Sequence, residues 1–358
     1  MVYPFLPVFA MGLNVDPASL GMALSIRSFL GVFGPFLASV ADTRNRKTGM
    51  ILGLVLFTLG SSVVVIWQEF WAFIVGISLT LIGNVVFIPS MNAFIGDRVP
   101  YEKRGRVLAI VEVSWSIAFI GGIPIVRYLL EHISWFSPFT IFAVLGLGML
   151  FLLLLIIPNQ RLPQANGNSI WKNLSRIISA WPALAGLLAG TLFTCSNEVI
   201  NLIFGLWIEE QFGLNFATLT VASIVIGVSE LGGEAVAGLW LDAVGKRRMI
   251  WIFLGANSLV ALLLPLSAGK LVWTMSGLGA LFITFEIVFI SALTLMSEIM
   301  PDARATMIAA TMAGFSLGRM LGDLIGPGLF GIGFWASCLA AVGLNLLAGV
   351  LLTQVRVR

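Results

Sequence analysis

The sequence predicts an all-α polytopic membrane protein made of two similar six-helix bundles, and three observations lead there. Of its 358 residues, 59% are hydrophobic and only 10% charged, against roughly 25% charged in an ordinary soluble domain. Apolar runs of about 20 residues, the length of a bilayer-crossing helix, follow one another along nearly the whole chain. The short alternating segments of a membrane barrel are not seen. The polar joints between the runs repeat: Asp42, Arg46 and Lys47 recur as Asp242, Lys246 and Arg247, an offset of 200.

Taken in order, the spans fall near 17–41, 49–67, 70–96, 107–130, 135–157, 181–208, 216–241, 249–267, 270–297, 305–330 and 333–353. Residues 1–14, "MVYPFLPVFAMGLN", come before them. At about 1.5 Å per residue this piece reaches about 21 Å, short of the roughly 30 Å hydrocarbon core. It reads as the outer part of a first helix that starts too late, making twelve helices in the intact protein. No basic region precedes it, which argues against a signal peptide.

Basic residues lie on alternate joints. Those at 42–48, 97–106, 158–180, 242–248 and 298–304, with the tail after 353, hold sixteen Lys and Arg; the opposite joints hold only Lys270. The positive-inside rule places the first set in the cytoplasm, with both chain ends there if the first helix is complete. The basic balance is thus a topology signal, and no nucleic-acid partner is expected. Between the halves lies one polar connector, "PNQRLPQANGNSIWKNLSR". The expected organisation is a bundle at 1–157, a cytoplasmic linker at 158–180 and a second bundle at 181–358. Cys195 and Cys338 sit inside apolar runs and read as small buried thiols, and with a single His132 there is little material for a metal site. No cofactor is expected.

With these residues in place, the chain resembles the major facilitator superfamily of secondary transporters over essentially its whole length. The most specific element is that family's loop signature after the second helix of each half: Gly, hydrophobic and Asp at alternate positions, then a turn Gly and a basic run. The second copy matches with Gly238, Asp242, Gly245, Lys246 and Arg247; the first departs, with Ala38 and Asn45 in place of the two glycines and Thr43 in place of a usual Arg. Asn tolerates the left-handed backbone that Gly supplies, so the second change is mild. The resemblance implies a gating loop (Asp42, Arg46, Lys47 and Asp242, Gly245, Lys246, Arg247) that latches the cytoplasmic side in one state. The plainer reading is that the basic residues only fix topology.

Charges inside spans cost about +2.5 to 3.5 kcal/mol each at a helix centre and are functional candidates by default. They are Arg27 in the second span, Glu112 and Arg127 in the fifth, Glu198 in the seventh, Glu230 and Glu234 in the eighth, Glu286 in the tenth, and Arg319 and Asp323 in the eleventh. The third, sixth, ninth and twelfth have none, and in the resembled fold those face lipid. Glu230 and Glu234, four apart, share a helical face where like charges disfavour double ionisation, which suits a proton carrier. Arg319 and Asp323 have the same spacing with opposite signs and read first as a structural ion pair. Six acids face three bases, so the excess acids must be protonated or meet a cationic ligand.

Gly314, Gly318, Gly322 and Gly326 fall every fourth residue in the eleventh span, before Pro327. Such spacing lets helices approach closely. It also resembles an exporter signature, though in exporters that signature lies in the fifth helix, which here offers only "GGIP". The Arg that proton antiporters carry in the fourth helix is absent too, so any coupling rests on Arg27 or on the second-half acids. The expected function is secondary transport by alternating access in the cell (inner) membrane: proton-coupled efflux of a small, amphipathic or cationic molecule by a monomer, with protons and the lipid bilayer as its other partners. Uptake by symport, a membrane-embedded enzyme and a non-transporting sensor are the alternatives. No His–Asp constellation or phosphate loop supports an enzyme.

Overall fold

The structure is a computed structural model in which residues 2–34, 36, 46–98, 118–157, 170–213, 215–300 and 304–355 are described. All regular structure among these residues is helical. A 3-10 turn, Tyr3–Phe5, runs into α1 (Leu6–Leu13); then come α2 (Pro17–Val32), α3 (Arg46–Trp67), α4 (Phe70–Arg98), α5 (Ile123–His132) and α6 (Ser137–Ile156). A linker helix, Ile170–Ser179, leads to α7 (Trp181–Phe212), α8 (Phe216–Val244), α9 (Lys246–Leu263), α10 (Leu271–Ile299), α11 (Arg304–Ile332) and α12 (Phe334–Leu352). Among the described residues, α3, α4 and α6 through α12 each hold a segment long and apolar enough to cross a membrane. Parts of the expected spans 17–41 and 107–130 lie outside the described residues.

Local chemistry sets the boundaries. Asp16 caps α2 by accepting the Ser19 N–H at 3.0 Å, and Pro17 opens the helix where its missing N–H costs nothing. Asn215 caps α8 in the same way, its Oδ1 accepting from Ala217 at 2.8 Å. Gly245 stands between α8 and α9 with φ +90, a conformation that glycine adopts without the Cβ clash of other residues.

The chain gathers into two compact units, one of residues 1–10, 16–25 and 168–358, the other of 11–15 and 26–167. In the second, α3 and α4 cross at glycines. A Cβ on Gly53 would stand 2.7 Å from the carbonyl of Gly83, and one on Gly60 2.6 Å from that of Gly76. In lipid, where apolar burial gives helices no preference for one another, such backbone proximity is what holds them. α6 turns Leu147, Phe151, Leu155 and Ile156 outward, as a lipid-facing helix should.

The first unit is organised around α7, 78% of whose most apolar segment is buried. The glycine ladder of α11 lies on it: a Cβ at Gly322 would stand 2.6 Å from the Cβ of Glu198. The close-packing reading of that spacing therefore holds. On another side α7 meets α12, where Ser196 donates to the Ala341 carbonyl at 2.8 Å and Trp207 stacks on Phe334 at 3.9 Å. Three buried side chains bind α9, α10 and α12. Asn257 donates to the Leu281 carbonyl at 2.9 Å and to Thr284 at 3.0 Å, and accepts from Asn345 at 2.9 Å. The linker helix inserts Ile177 among Ala183, Met296, Met307 and Ala310, so the end of the connector belongs to this unit's core.

Candidate functional site

Glu230 and Glu234 lie one turn apart on α8, and Gly232 and Gly233 sit between them. The glycines decide what meets the acids. Without a Cβ at Gly233, α10 comes close enough that one built there would stand 2.7 Å from the Cβ of Glu286 and 3.0 Å from the Ile283 carbonyl. Three acids from two helices thus converge.

Glu286 lies in Coulombic range of Glu230, Glu234 and Arg319. Glu230 feels Arg319, Glu234 and Glu198. All three acids are half-buried, while Arg319 is exposed and makes no hydrogen bond or ion pair among the described residues. Carboxylates this close repel one another, and that repulsion penalises every further ionisation. Such a cluster can bind protons or an organic cation. Beside it run aromatic rings: Phe285 and Phe289 flank Glu286 in sequence, with Phe289 to Phe315 at 4.7 Å and Phe315 to Phe193 at 5.4 Å. Ring faces attract cations.

Glu198 and Asp323 belong to a deeper layer between α7 and α11, with 3% and 0% of their surface exposed. Glu198 accepts from Asn201 at 3.3 Å through one oxygen; the other has no hydrogen-bond partner among the described residues. Asp323 accepts from the Tyr3 hydroxyl at 3.5 Å. Arg319 and Asp323 share a helix face but not an environment: the guanidinium is exposed and the carboxylate sealed. Arg27 lies in the other unit, half-buried and without a hydrogen bond or ion pair among the described residues.

The basic joints are tied down within each unit. Lys47, at the start of α3, donates to the Leu154 carbonyl at 3.0 Å. Lys246 pairs with Glu298 at the end of α10, and Arg247 donates to the Thr353 carbonyl at 3.2 Å. Arg46 is half-buried, and Asp242 sits in the last turn of α8 just before Gly245. Asp42 and Glu112 lie outside the described residues.

Glu298, Tyr3, Asn201 and Gly233 escaped the sequence reading. Only Gly233 carried a usable signal, a glycine pair set between two acids.

A family model described as Major Facilitator Superfamily matches residues 1–322 and, in a second match, 186–357. A protein described as a probable sugar efflux transporter of Pasteurella multocida is 27% identical over 331 residues, covering 87% of this chain and 78% of its own. A multidrug resistance efflux pump PmrA homologue of Lactococcus lactis is 23% identical over 378 residues, covering 100% of this chain and 91% of its own. The crystal structure of the nucleoside transporter NupG superposes with a TM-score of 0.80 over 99% of this chain and 95% of that one. At 16% identity, that is a likeness of fold.

Proposed function

Because the chain belongs to the major facilitator superfamily, and is therefore a multi-pass membrane transporter of small molecules, we propose that it exports an amphipathic, cationic molecule in exchange for protons. The observation that carries this reading is the meeting of Glu230, Glu234 and Glu286 inside membrane-spanning helices, with Arg319 in Coulombic range of Glu230 and Glu286. A proton and a cation compete for the same carboxylates. Proton entry from one side neutralises them and releases the cation; proton loss on the other side restores the charge that binds it again. Alternating access follows if the bundles 1–157 and 181–358, joined by the linker 158–180, rock against each other. The loops at Asp42 and Asp242 latch the cytoplasmic side, with both chain ends on that side of the cell membrane if the first helix is complete, and the protein works as a monomer. Two efflux relatives support the direction.

Export of a neutral sugar is the second reading. It is favoured by the amide of Asn201 beside Glu198 and by the sugar efflux relative.

The test is accumulation of a fluorescent lipophilic cation in cells lacking their own pumps, at fixed membrane potential, with the proton gradient intact or collapsed. Wild type lowers accumulation only with the gradient intact; Glu230→Gln and Glu286→Gln do not lower it. Wild type indistinguishable from empty vector overturns the cationic reading, and sugar retention in the same cells then decides the second.

A further inference from the structure

At the end of the first unit opposite the basic joints, α9, the 3-10 turn Leu264–Ser267 and the start of α10 enclose a furrow of about 370 Å³. Its walls are Val260, Leu264, Gly277 and Ala280, and no acidic residue lines it. Lys270, Trp273, Gly277 and Ala280 recur at the spacing of a single helix face. Leu264 packs onto Gly277, where a Cβ would stand 2.6 Å from its Cδ1, and the lysine and the indole stand above the furrow that runs between Val260 and Ala280.

The polar groups at its rim divide sharply. Ser267 and Thr274 are satisfied, donating to the carbonyls of Leu264 at 2.7 Å and Ser267 at 3.0 Å. The Lys270 ammonium, the Trp273 indole N–H and the Ser276 hydroxyl make no hydrogen bond or ion pair among the described residues, and all three residues are exposed. The first turn of α10 adds amides that no side chain caps. Three free donors and a helix start above an apolar groove, with no acid beside them, complement an anion attached to a hydrocarbon chain. Lys270 is also the sole basic residue in the joints on that side, so the cation is placed where topology alone disfavours one.

We propose that this furrow binds one anionic phospholipid, with an acyl chain along Val260 and Ala280 and the phosphodiester on Lys270, Trp273 and Ser276. The site is independent of the transport reading, because it requires only that the helices lie in a bilayer.

The experiment is native mass spectrometry of the purified protein taken from mixed phosphatidylglycerol and phosphatidylcholine bilayers. Wild type retains one phosphatidylglycerol in preference to phosphatidylcholine by about fivefold, the effect of one lysine close to an anionic lipid surface. Lys270→Gln abolishes the preference, and Ala280→Phe reduces retention of either lipid by filling the groove. Lys270→Arg keeps both, which separates loss of the site from loss of the fold, and Arg248→Gln, at the other end of α9, changes neither. Equal retention of the two lipids by wild type, or an unchanged preference in Lys270→Gln, overturns the proposal.

Discussion

Lys47 Nζ donates to the main-chain oxygen of Leu154 at 3.0 Å, and 200 residues later Arg247 donates to that of Thr353 at 3.2 Å. Each basic residue opens the third helix of its half; each acceptor belongs to the end of the sixth, where the last carbonyls lack intrahelical partners. A cation there satisfies one carbonyl and opposes the negative end of the helix. Lys47 is buried, with 8% of its surface exposed, whereas Arg247 is exposed. Lys47→Met therefore costs about 1.5–3 kcal/mol, the worth of a hydrogen bond with a charged partner, and Arg247→Met much less. Thermal unfolding in detergent, with hydrogen exchange at the end of α6, reads both; equal effects would refute the assignment.

The Lys246–Glu298 pair joins the start of α9 to the end of α10. Both side chains are partly exposed, so their coupling in a double-mutant cycle is about 0.5–1 kcal/mol. Lys246→Gln and Glu298→Gln are expected to slow efflux similarly, with the double variant no slower than either. Asp242→Asn is expected to slow turnover with little loss of substrate binding. Fully additive losses from Lys246→Gln and Glu298→Gln would show the two acting separately.

Asp16 accepts from Ser19, and these bonds hold its carboxyl below the usual 3.8. A carboxylate whose folded pKa is depressed adds stability that is present above 3.8 and lost as pH falls through the lower folded value. Melting of wild type and Asp16→Ala is expected to differ at pH 6 and to converge towards pH 3. A difference that persists in acid would mean the cap works without its charge.

Span positions, the repeat and the basic joints were readable because each depends on composition over a window or on an offset along the chain. So was the ladder Gly314, Gly318, Gly322 and Gly326, which faces one neighbour at regular spacing. Pairings between distant helices were not readable. Glu298 is one acid among several near a loop, and only folding brings it to Lys246. Glu286 sits in an apolar run with nothing to say that Gly233 receives it. Likewise Arg319 and Asp323, alike in spacing to Glu230 and Glu234 and on one face of α11, differ in burial, Asp323 being sealed and Arg319 exposed. Periodicity gives the face of a helix, while the depth of that face depends on its neighbours.

That dependence makes the α7–α11 contact the sharpest test of the packing. A Cβ at Gly322 would stand 2.6 Å from that of Glu198 and 3.0 Å from the Cys195 carbonyl, and one at Gly318 would stand 3.0 Å from the Cys195 amide. Main-chain atoms of a buried helix cannot yield as a flexible side chain does, so Gly318→Ala and Gly322→Ala each cost about 1–3 kcal/mol. In α12, a Cβ at Gly343 meets nothing within 4 Å, so Gly343→Ala is neutral or gains up to about 1 kcal/mol. Gly322→Ala carries a second consequence, because the stem it displaces belongs to Glu198. A change in the pH profile of transport beyond that of Gly318→Ala would tie Glu198 to proton movement, whereas identical profiles would leave Glu198 a buried structural group.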